Sequence, residues 1–396
     1  MTATELTIGL FGYGVVGQGV YDILNSITGL PASVKKICAK HPEKPRNIDA
    51  SHFTFNADDI LEDPSINMIV EVIDDAKAAL EIVTKAMKNG KHVVTANKKM
   101  LAENMEYLID LQKETGARLL YEAACCGSIP IIRNLEEYYD NDLLNSVEGI
   151  FNGSTNYILS RIFEHNKDYD IALKQAQDLG FAESNPHLDI IGYDALYKMI
   201  IAAVHAYGII IDPKQVVTHG IQNISRHDIE YAKQRQAKFR HIAVAQKDAK
   251  NEVAVYVLPH LVTDNSVYFD VKNEDNCVVL QADFSQQQYF QGKGAGSHPT
   301  GSAVVSDISA QLYDYKYSYK KYNRSQNPTL SNSKTLEVYF RYFTESNLNY
   351  FKFDKILAKY TSKDYNYVIA KISLEGLLQA GDKLNSADLF IAVLNS

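Results

Sequence analysis

The chain is 396 residues long, enough for two or three domains with their own apolar cores. A hydrophobic share of 46% and a charged share of 22% are those of an ordinary globular protein. A net charge of -8 without a basic block excludes the electrostatic footprint of a nucleic-acid binder. There is no cationic leader followed by an apolar run, and no apolar stretch of about eighteen residues, so a soluble, cytoplasmic protein without a membrane partner is expected. Cys38, Cys125, Cys126 and Cys277 have no spacing that suggests a disulfide framework or a zinc knot.

The first 130 residues alternate short apolar runs with amphipathic stretches. Strands are predicted at 6–11, 34–39, 66–73, 92–95 and 118–123, and helices at 17–26, 76–89 and 104–115, with Gly90 and Gly116 as helix stops. This βα alternation predicts an α/β fold with a Rossmann-type parallel sheet over residues 1–133. From about 134 the order changes: helices are expected at 157–164, 169–179 and 193–207, followed by alternating strand patterns at 253–258 and 267–272. That order predicts an α+β domain over 134–310, built to supply substrate walls. Residues 311–334 read as a return helix and linker. Beyond them, strands at 337–343, 367–373 and 389–394 with a helix at 353–360 predict a small α+β C-terminal module over 335–396.

The first chemical signal is GYGVVG, that is Gly12, Tyr13, Gly14, Val15, Val16 and Gly17, placed between an apolar strand and a helix. Glycines at this spacing permit a tight turn, a close pyrophosphate and close helix-sheet packing, while the helix aims free N–H groups at the anion. Dinucleotide binding is expected here. An acidic residue at the end of the second strand would bind the ribose hydroxyls of NAD. Lys40 and His41 stand there instead, which favours NADP over NAD, although Glu43 is acidic and a solvated basic loop accounts equally for Lys44 and Arg46.

A nicotinamide enzyme also needs a proton donor near the reacting carbonyl. The 92–95 strand ends in Thr95, Ala96, Asn97, Lys98 and Lys99, where open α/β sheets expose ligand groups, so Lys98 or Lys99 is a candidate. Glu122 and the turn carbonyls after it could hold a hard cation or simply be hydrated. Glu183 follows a helix-stopping Gly180, and Asp194 and Lys198 lie four apart on one helix face, near Asp189. A carboxylate and a lysine placed together suit a polar amino-acid substrate. The turn 152–156 could orient substrate or cap a helix. The glycine-rich stretch 292–301, with Gly294, permits cofactor contact or a structural return to the first domain.

GYGVVG, HVVTANKKMLA, YEAACCGSIP, GIFNGSTNYIL, GFAESNPHLDIIGYDALYK and GKGAGSHPTGSAVVSDI, in this order across residues 6–310, resemble the homoserine dehydrogenases. The resemblance implies NAD(P)-dependent interconversion of L-homoserine and L-aspartate 4-semialdehyde in threonine and methionine synthesis. It implies Lys98, chosen over Lys99, and Lys198 as the catalytic pair. It also implies Glu183, Asp189 and Asp194 as substrate-binding residues, with Glu183 at the amino group. Gly12 to Gly17, Lys40, Thr95, Asn97 and Gly294 are the expected cofactor contacts. Glu122 and the peptide oxygens of Cys125 and Gly127 correspond to a sodium site. A homodimer through the middle domain is implied, and residues 335–396 correspond to a divergent ACT-like module. Asp74, Asp75, Cys126 and Ser128 depart from the family pattern. They motivate two alternatives, a catalytically weak regulatory relative and a dehydrogenase for another amino or hydroxy acid.

Overall fold

Six short apolar segments make the first sheet: β1 (Leu6–Phe11), β2 (Ala32–Cys38), β3 (Phe53–Thr54), β4 (Met68–Glu71), β5 (His92–Thr95) and β6 (Leu119–Leu120). The computed structural model describes residues 5–140 and 143–394. The sheet order is β3-β2-β1-β4-β5-β6, and every neighbour is parallel. β4 is buried at all four positions. That is why this segment reads as a continuous apolar run rather than an alternating one: helices cover both faces of a parallel sheet. The order reverses between β1 and β4, which places a ligand crevice at the C-terminal ends of these two strands.

The helices Val15–Ser26, Ala76–Lys88 and Lys98–Thr115 cross between the strands. The third starts six residues earlier than its sequence pattern suggests, because Asn97 caps it by accepting from the Met100 amide. Non-helical backbone at Asn104 marks a kink where the expected start had been placed.

This unit comprises Met1–Tyr138 and Lys293–Lys320. The second piece was expected to belong to the middle domain and to a linker. It joins the first unit through the helix Ser297–Gln311, which packs on Val15–Ser26. A Cβ at Gly19 would lie 2.2 Å from the Ser297 carbonyl oxygen, and one at Gly301 would lie 2.9 Å from the Gly19 carbonyl carbon. Small residues on both helices therefore set this close approach. Tyr319 follows, buried, with its hydroxyl 2.9 Å from that of Tyr121.

The second unit, Tyr139–Gly292 with Lys321–Ser396, holds an eleven-stranded sheet. Its strands are β7 (Leu144–Ile150), β8 (Val217–Thr218), β9 (Lys238–Lys247), β10 (Glu252–Val262), β11 (Asp275–Ala282), β12 (Gln286–Lys293), β13 (Thr329–Leu330), β14 (Thr335–Tyr342), β15 (Lys355–Thr361), β16 (Asn366–Ser373) and β17 (Leu389–Val393). The path runs β12-β11-β7-β9-β10-β17-β14-β16-β15, with β8 and β13 paired to β10. The helix Tyr193–Tyr207 has the bounds its sequence predicts, and every residue from Asp194 to Tyr207 is buried.

Three expectations are corrected. Residues 267–272 form no strand, with turns over 267–270, because the carbonyls of Tyr268 and Phe269 accept from the buried Arg240 guanidinium at 3.2 and 3.1 Å and are lost to a ladder. Residues 353–360 were expected to be helical, yet β15 occupies 355–361, held antiparallel to β16 at the sheet edge. The spacing of Ile356, Leu357 and Tyr360 suits a helix face, but edge pairing overrides that weak propensity. The C-terminal module also has no core of its own: Val338, Phe340 and Ile391 share one apolar cluster with Ile242, Val244 and Leu258. β17 runs parallel to β10 at the pair His260 and Val393. Among the described residues, no helix is long and apolar enough to cross a membrane.

Candidate active site

In the first unit the glycine turn sits at the C-terminal end of β1. Gly12 has a φ of 101°, and a Cβ there would lie 2.8 Å from the Val72 carbonyl oxygen. A Cβ at Gly17 would come within 2.2 Å of the Gly12 oxygen, so the turn and the helix behind it are in backbone contact. At Gly14 a Cβ would meet nothing within 4 Å. Gly14 is also the N-cap of Val15–Ser26 and makes no side-chain cap bond. The first-turn amides of Val15, Val16 and Gly17 thus face an open cradle suited to a pyrophosphate. Tyr13, within the turn, is buried. Its ring packs edge-on against Phe53 at 5.1 Å, and its hydroxyl donates to the Asn47 side-chain oxygen at 3.0 Å.

Lys40 is exposed just beyond β2. Arg46 is held by its own loop, with donors to the carbonyls of His41 and Lys44 and its guanidinium over Phe53. His41 faces Glu43 at 3.3 Å. Lys40 is thus exposed while Arg46 and His41 are engaged within the loop. The departure at Asp75 has a structural cause: its carboxylate accepts from the Lys77 and Ala78 amides at 3.0 Å each and caps the helix Ala76–Lys88. These two bonds, with the nearby Lys40 charge, hold its carboxyl below the usual carboxylate range. Asp75→Ala is expected to destabilise the fold through loss of the helix cap, read as a lower denaturant midpoint at unchanged slope. Asp75→Asn should recover most of that loss. A drop equally large in the asparagine variant would contradict the capping role.

Thr95 and Asn97 do not offer their side chains to a ligand. The Thr95 hydroxyl is fully buried and donates to Glu71, while the Asn97 carboxamide caps Met100 and donates to the Ile73 carbonyl at 3.0 Å. Both shape the turn that carries Lys98. Lys98 and Lys99 are both half-buried at the start of their helix, and Lys99 lies 3.9 Å from Glu103, an i,i+4 pair. Gly294 is buried and lies against Gly127, where a Cβ would fall 2.7 Å from the Gly294 carbonyl carbon. Its role in this arrangement is packing, reinforced by the Ser128 amide and hydroxyl, which both donate to the Lys293 carbonyl at 3.0 Å.

Glu122 is buried, and its two carboxylate oxygens accept from the amides of Ile132 and Arg133 at 2.7 and 3.0 Å. Burial, followed by the Asp307 charge, pushes its carboxyl up to about 8. Asp307 in turn accepts from the Glu122 amide and pairs with Arg133 at 2.6 Å. Cys126 and Gly127 both have left-handed backbone, with φ of 60° and 53°. The Glu122 carboxylate is therefore engaged internally and does not fit an open metal ligand. Peptide oxygens of the turn at Cys125 and Gly127 remain the donors of suitable chemistry for a hard monovalent cation. Among the described residues, no cluster of three or more His, Cys, Asp or Glu side chains is placed to hold a metal ion.

In the second unit the polar groups converge on Asn152, the first residue of the 152–156 turn. Asn152 caps the helix Gly153–His165 through its side-chain oxygen, which accepts from the Thr155 amide at 2.8 Å. Its Nδ2 donates to Asp189 Oδ1 and Asp194 Oδ2, both at 2.8 Å. Lys198 Nζ lies 2.8 Å from the same Asp194 oxygen and donates to the Phe151 carbonyl at 2.7 Å. Gly192, with a φ of 94°, lets the helix Tyr193–Tyr207 begin tightly enough to set Asp194 in its first turn, where the helix dipole favours a negative charge. The side chains of Asp194 and Lys198 are 7% and 10% exposed, so this pair is not a surface ion pair. Lys198 thus faces Asp194, and Asn152 joins Asp189 to the same carboxylate. Glu183 is exposed on the loop after Tyr169–Asp178, and its backbone carbonyl is held by Gln177 at 3.1 Å.

The chain matches family models described as homoserine dehydrogenase over residues 130–309 and as homoserine dehydrogenase, NAD binding domain, over residues 12–122. It is 36% identical over 316 residues to the homoserine dehydrogenase of Bacillus subtilis, covering 78% of this chain and 73% of that protein. It is 32% identical over 308 residues to that of Pseudomonas aeruginosa, covering 76% and 71%. Its structure is similar to that of a homoserine dehydrogenase from Thiobacillus denitrificans, with a TM-score of 0.85 and 26% identity over 99% of both chains. A hyperthermophilic archaeal homoserine dehydrogenase in complex with NADPH has a TM-score of 0.68 and 25% identity, covering 79% of this chain and 99% of that one.

Proposed function

The chain belongs to the homoserine dehydrogenase family and is an oxidoreductase that interconverts L-homoserine and L-aspartate 4-semialdehyde with a nicotinamide cofactor, and we propose that NADPH is its preferred reductant. The observation that carries the assignment of roles is the largely buried group in which Asn152 bridges the half-buried Asp189 and the buried Asp194 while Lys198 binds Asp194 and the Phe151 carbonyl. The two aspartates, with Glu183 on the neighbouring loop, suit the substrate ammonium. Lys98 and Lys198 are the two cationic groups assigned to the carbonyl oxygen.

When bound, the nicotinamide supplies the hydride to the aldehyde carbon. Lysine side chains polarise the oxygen and deliver its proton, directly or through water, to give the alcohol. Asp194 holds the Lys198 ammonium in place, and Asn152 keeps Asp194 oriented. The glycine turn would hold the pyrophosphate on the amides of Val15 to Gly17, with Lys40 at the adenosine 2'-phosphate. A sodium ion at the turn would take peptide oxygens near Cys125 and Gly127 rather than the Glu122 carboxylate, and would brace the loop. We also assign a cytoplasmic location, a homodimer assembled through the middle region, and a reduced ACT-like character to residues 335–396. The antiparallel order β17-β14-β16-β15 supports that last reading, because it is the order of a split β-α-β-β-α-β unit.

The test is the initial rate of NADPH and NADH oxidation with aspartate 4-semialdehyde, with and without sodium. Semialdehyde-dependent oxidation that is faster with NADPH supports the reading, and faster NADH oxidation overturns the cofactor preference. Lys40→Glu is then expected to lower kcat/KM for NADPH by roughly ten-fold or more and to change that for NADH by less than about two-fold. Equal losses with both cofactors would remove Lys40 from the 2'-phosphate site.

A further inference from the structure

Glu71 ends β4 and is fully buried, yet the assigned chemistry has no use for it. It stands directly opposite Thr95 in the parallel pairing of β4 and β5. Its Oε1 accepts from the Ile73 amide at 2.7 Å, and its Oε2 accepts from the Thr95 hydroxyl at 2.5 Å. The Thr95 oxygen accepts from the Asn97 amide at 3.0 Å, and the Asn97 Nδ2 returns to the Ile73 carbonyl at 3.0 Å. Four groups thus close a ring across the C-terminal ends of two adjacent strands. On one side the ring fixes the turn behind the glycine loop, since the Val72 carbonyl abuts Gly12. On the other it fixes Asn97, the cap of the helix whose first residue is Lys98.

We propose that Glu71 is a positioning residue for the reaction, its carboxylate closing the hydrogen-bonded ring that sets the Lys98 turn against the cofactor crevice. The inference rests on the assignment of Lys98 to proton transfer. A buried carboxylate without a countercharge is unfavourable compared with an apolar side chain, so its contribution here is geometric. Burial raises its carboxyl to about 7, the Thr95 and Ile73 bonds oppose that rise, and Asp74 on the following turn is the charged group that adds to it. Only the ionised form accepts from both Thr95 and Ile73. Once protonated, the carboxyl donates to a Thr95 oxygen that already accepts from Asn97, and the threonine proton loses its acceptor. Glu71→Gln has the same donor polarity as the protonated acid, so it imitates that state with almost no change in shape.

Glu71→Gln and Glu71→Ala are compared with wild type in semialdehyde reduction across pH, in NADPH binding followed by the emission of the bound reduced nicotinamide, and in thermal midpoint. The expected result for Glu71→Gln is a kcat lower by roughly ten- to a hundred-fold, with NADPH affinity and KM within about three-fold. An acid limb near neutral pH should be present in wild type and absent from the glutamine variant. The emission enhancement of bound NADPH should fall by about half or more, and Glu71→Ala should be at least as impaired. Unchanged kcat and emission in both variants would overturn the inference. So would a kcat loss whose pH profile runs parallel to wild type, because that identifies a merely structural role. Absence of turnover in wild type would instead sink the functional reading, and the emission comparison would still decide the role of Glu71.

Discussion

Lys198→Met is expected to lower kcat by roughly a thousand-fold while NADPH affinity stays within about two-fold, because it removes proton-transfer and charge-stabilising chemistry without touching the dinucleotide cradle. Methionine keeps most of the volume of lysine, so packing along the helix Tyr193–Tyr207, buried from Asp194 onward, changes little. The electrostatic consequence is larger. Asp194 would keep the Asn152 donor but lose the ammonium 2.8 Å away, and breaking a buried pair on one side costs about 3–5 kcal/mol. The variant should therefore also melt earlier. Asp194→Asn added to Lys198→Met separates the two effects: with neither charge of the pair left, the stability loss should shrink while kcat stays low. Single-turnover NADPH oxidation and a denaturant titration on both variants check this. A Lys198→Met enzyme that retained a tenth of wild-type kcat would end the assignment.

The cofactor half was legible in the sequence because its constraints are local. Gly12, Gly14 and Gly17 lie within one turn of chain, and the strand before them and the helix after them announce themselves by period. Helix Tyr193–Tyr207 was equally plain, with Asp194 and Lys198 four apart on a continuous apolar background. Contacts that bridge distant segments were not legible. Asn152 reaches Asp189 and Asp194 across 37 and 42 positions, and Glu71 meets Thr95 across 24. A single asparagine before GlySerThr reads as a helix cap, which it also is, and nothing in its spacing signals the second use of its amide. Glu71 was hidden for a different reason: it falls inside the apolar run 66–73, where period alone gives a lone acid no partner. Long-range pairing also explains the errors in the C-terminal region, where edge hydrogen bonds to β16 made a strand of the helical-looking 353–360.

The same logic of backbone proximity gives the second large effect. Gly17→Ala is expected to weaken NADPH binding by roughly a hundred-fold or more, since a shift of about 1 Å in a positioning element has that scale of consequence. The added methyl would stand 2.2 Å from the Gly12 carbonyl oxygen and 3.0 Å from its carbon, and both are backbone atoms that no rotamer change can move aside. The helix Val15–Ser26 must retreat from the turn, taking its first-turn amides with it and lowering the thermal midpoint. Gly14→Ala supplies the contrast. Its methyl meets no protein atom within 4 Å, so the fold should tolerate it. The proposed pyrophosphate cradle uses that open space, so affinity should fall there at unchanged stability. NADPH fluorescence titrations paired with melting curves distinguish the two variants. Wild-type affinity in Gly14→Ala would mean that the dinucleotide does not pass over this turn, and the cradle would have to be sought elsewhere along the C-terminal edge of the first sheet.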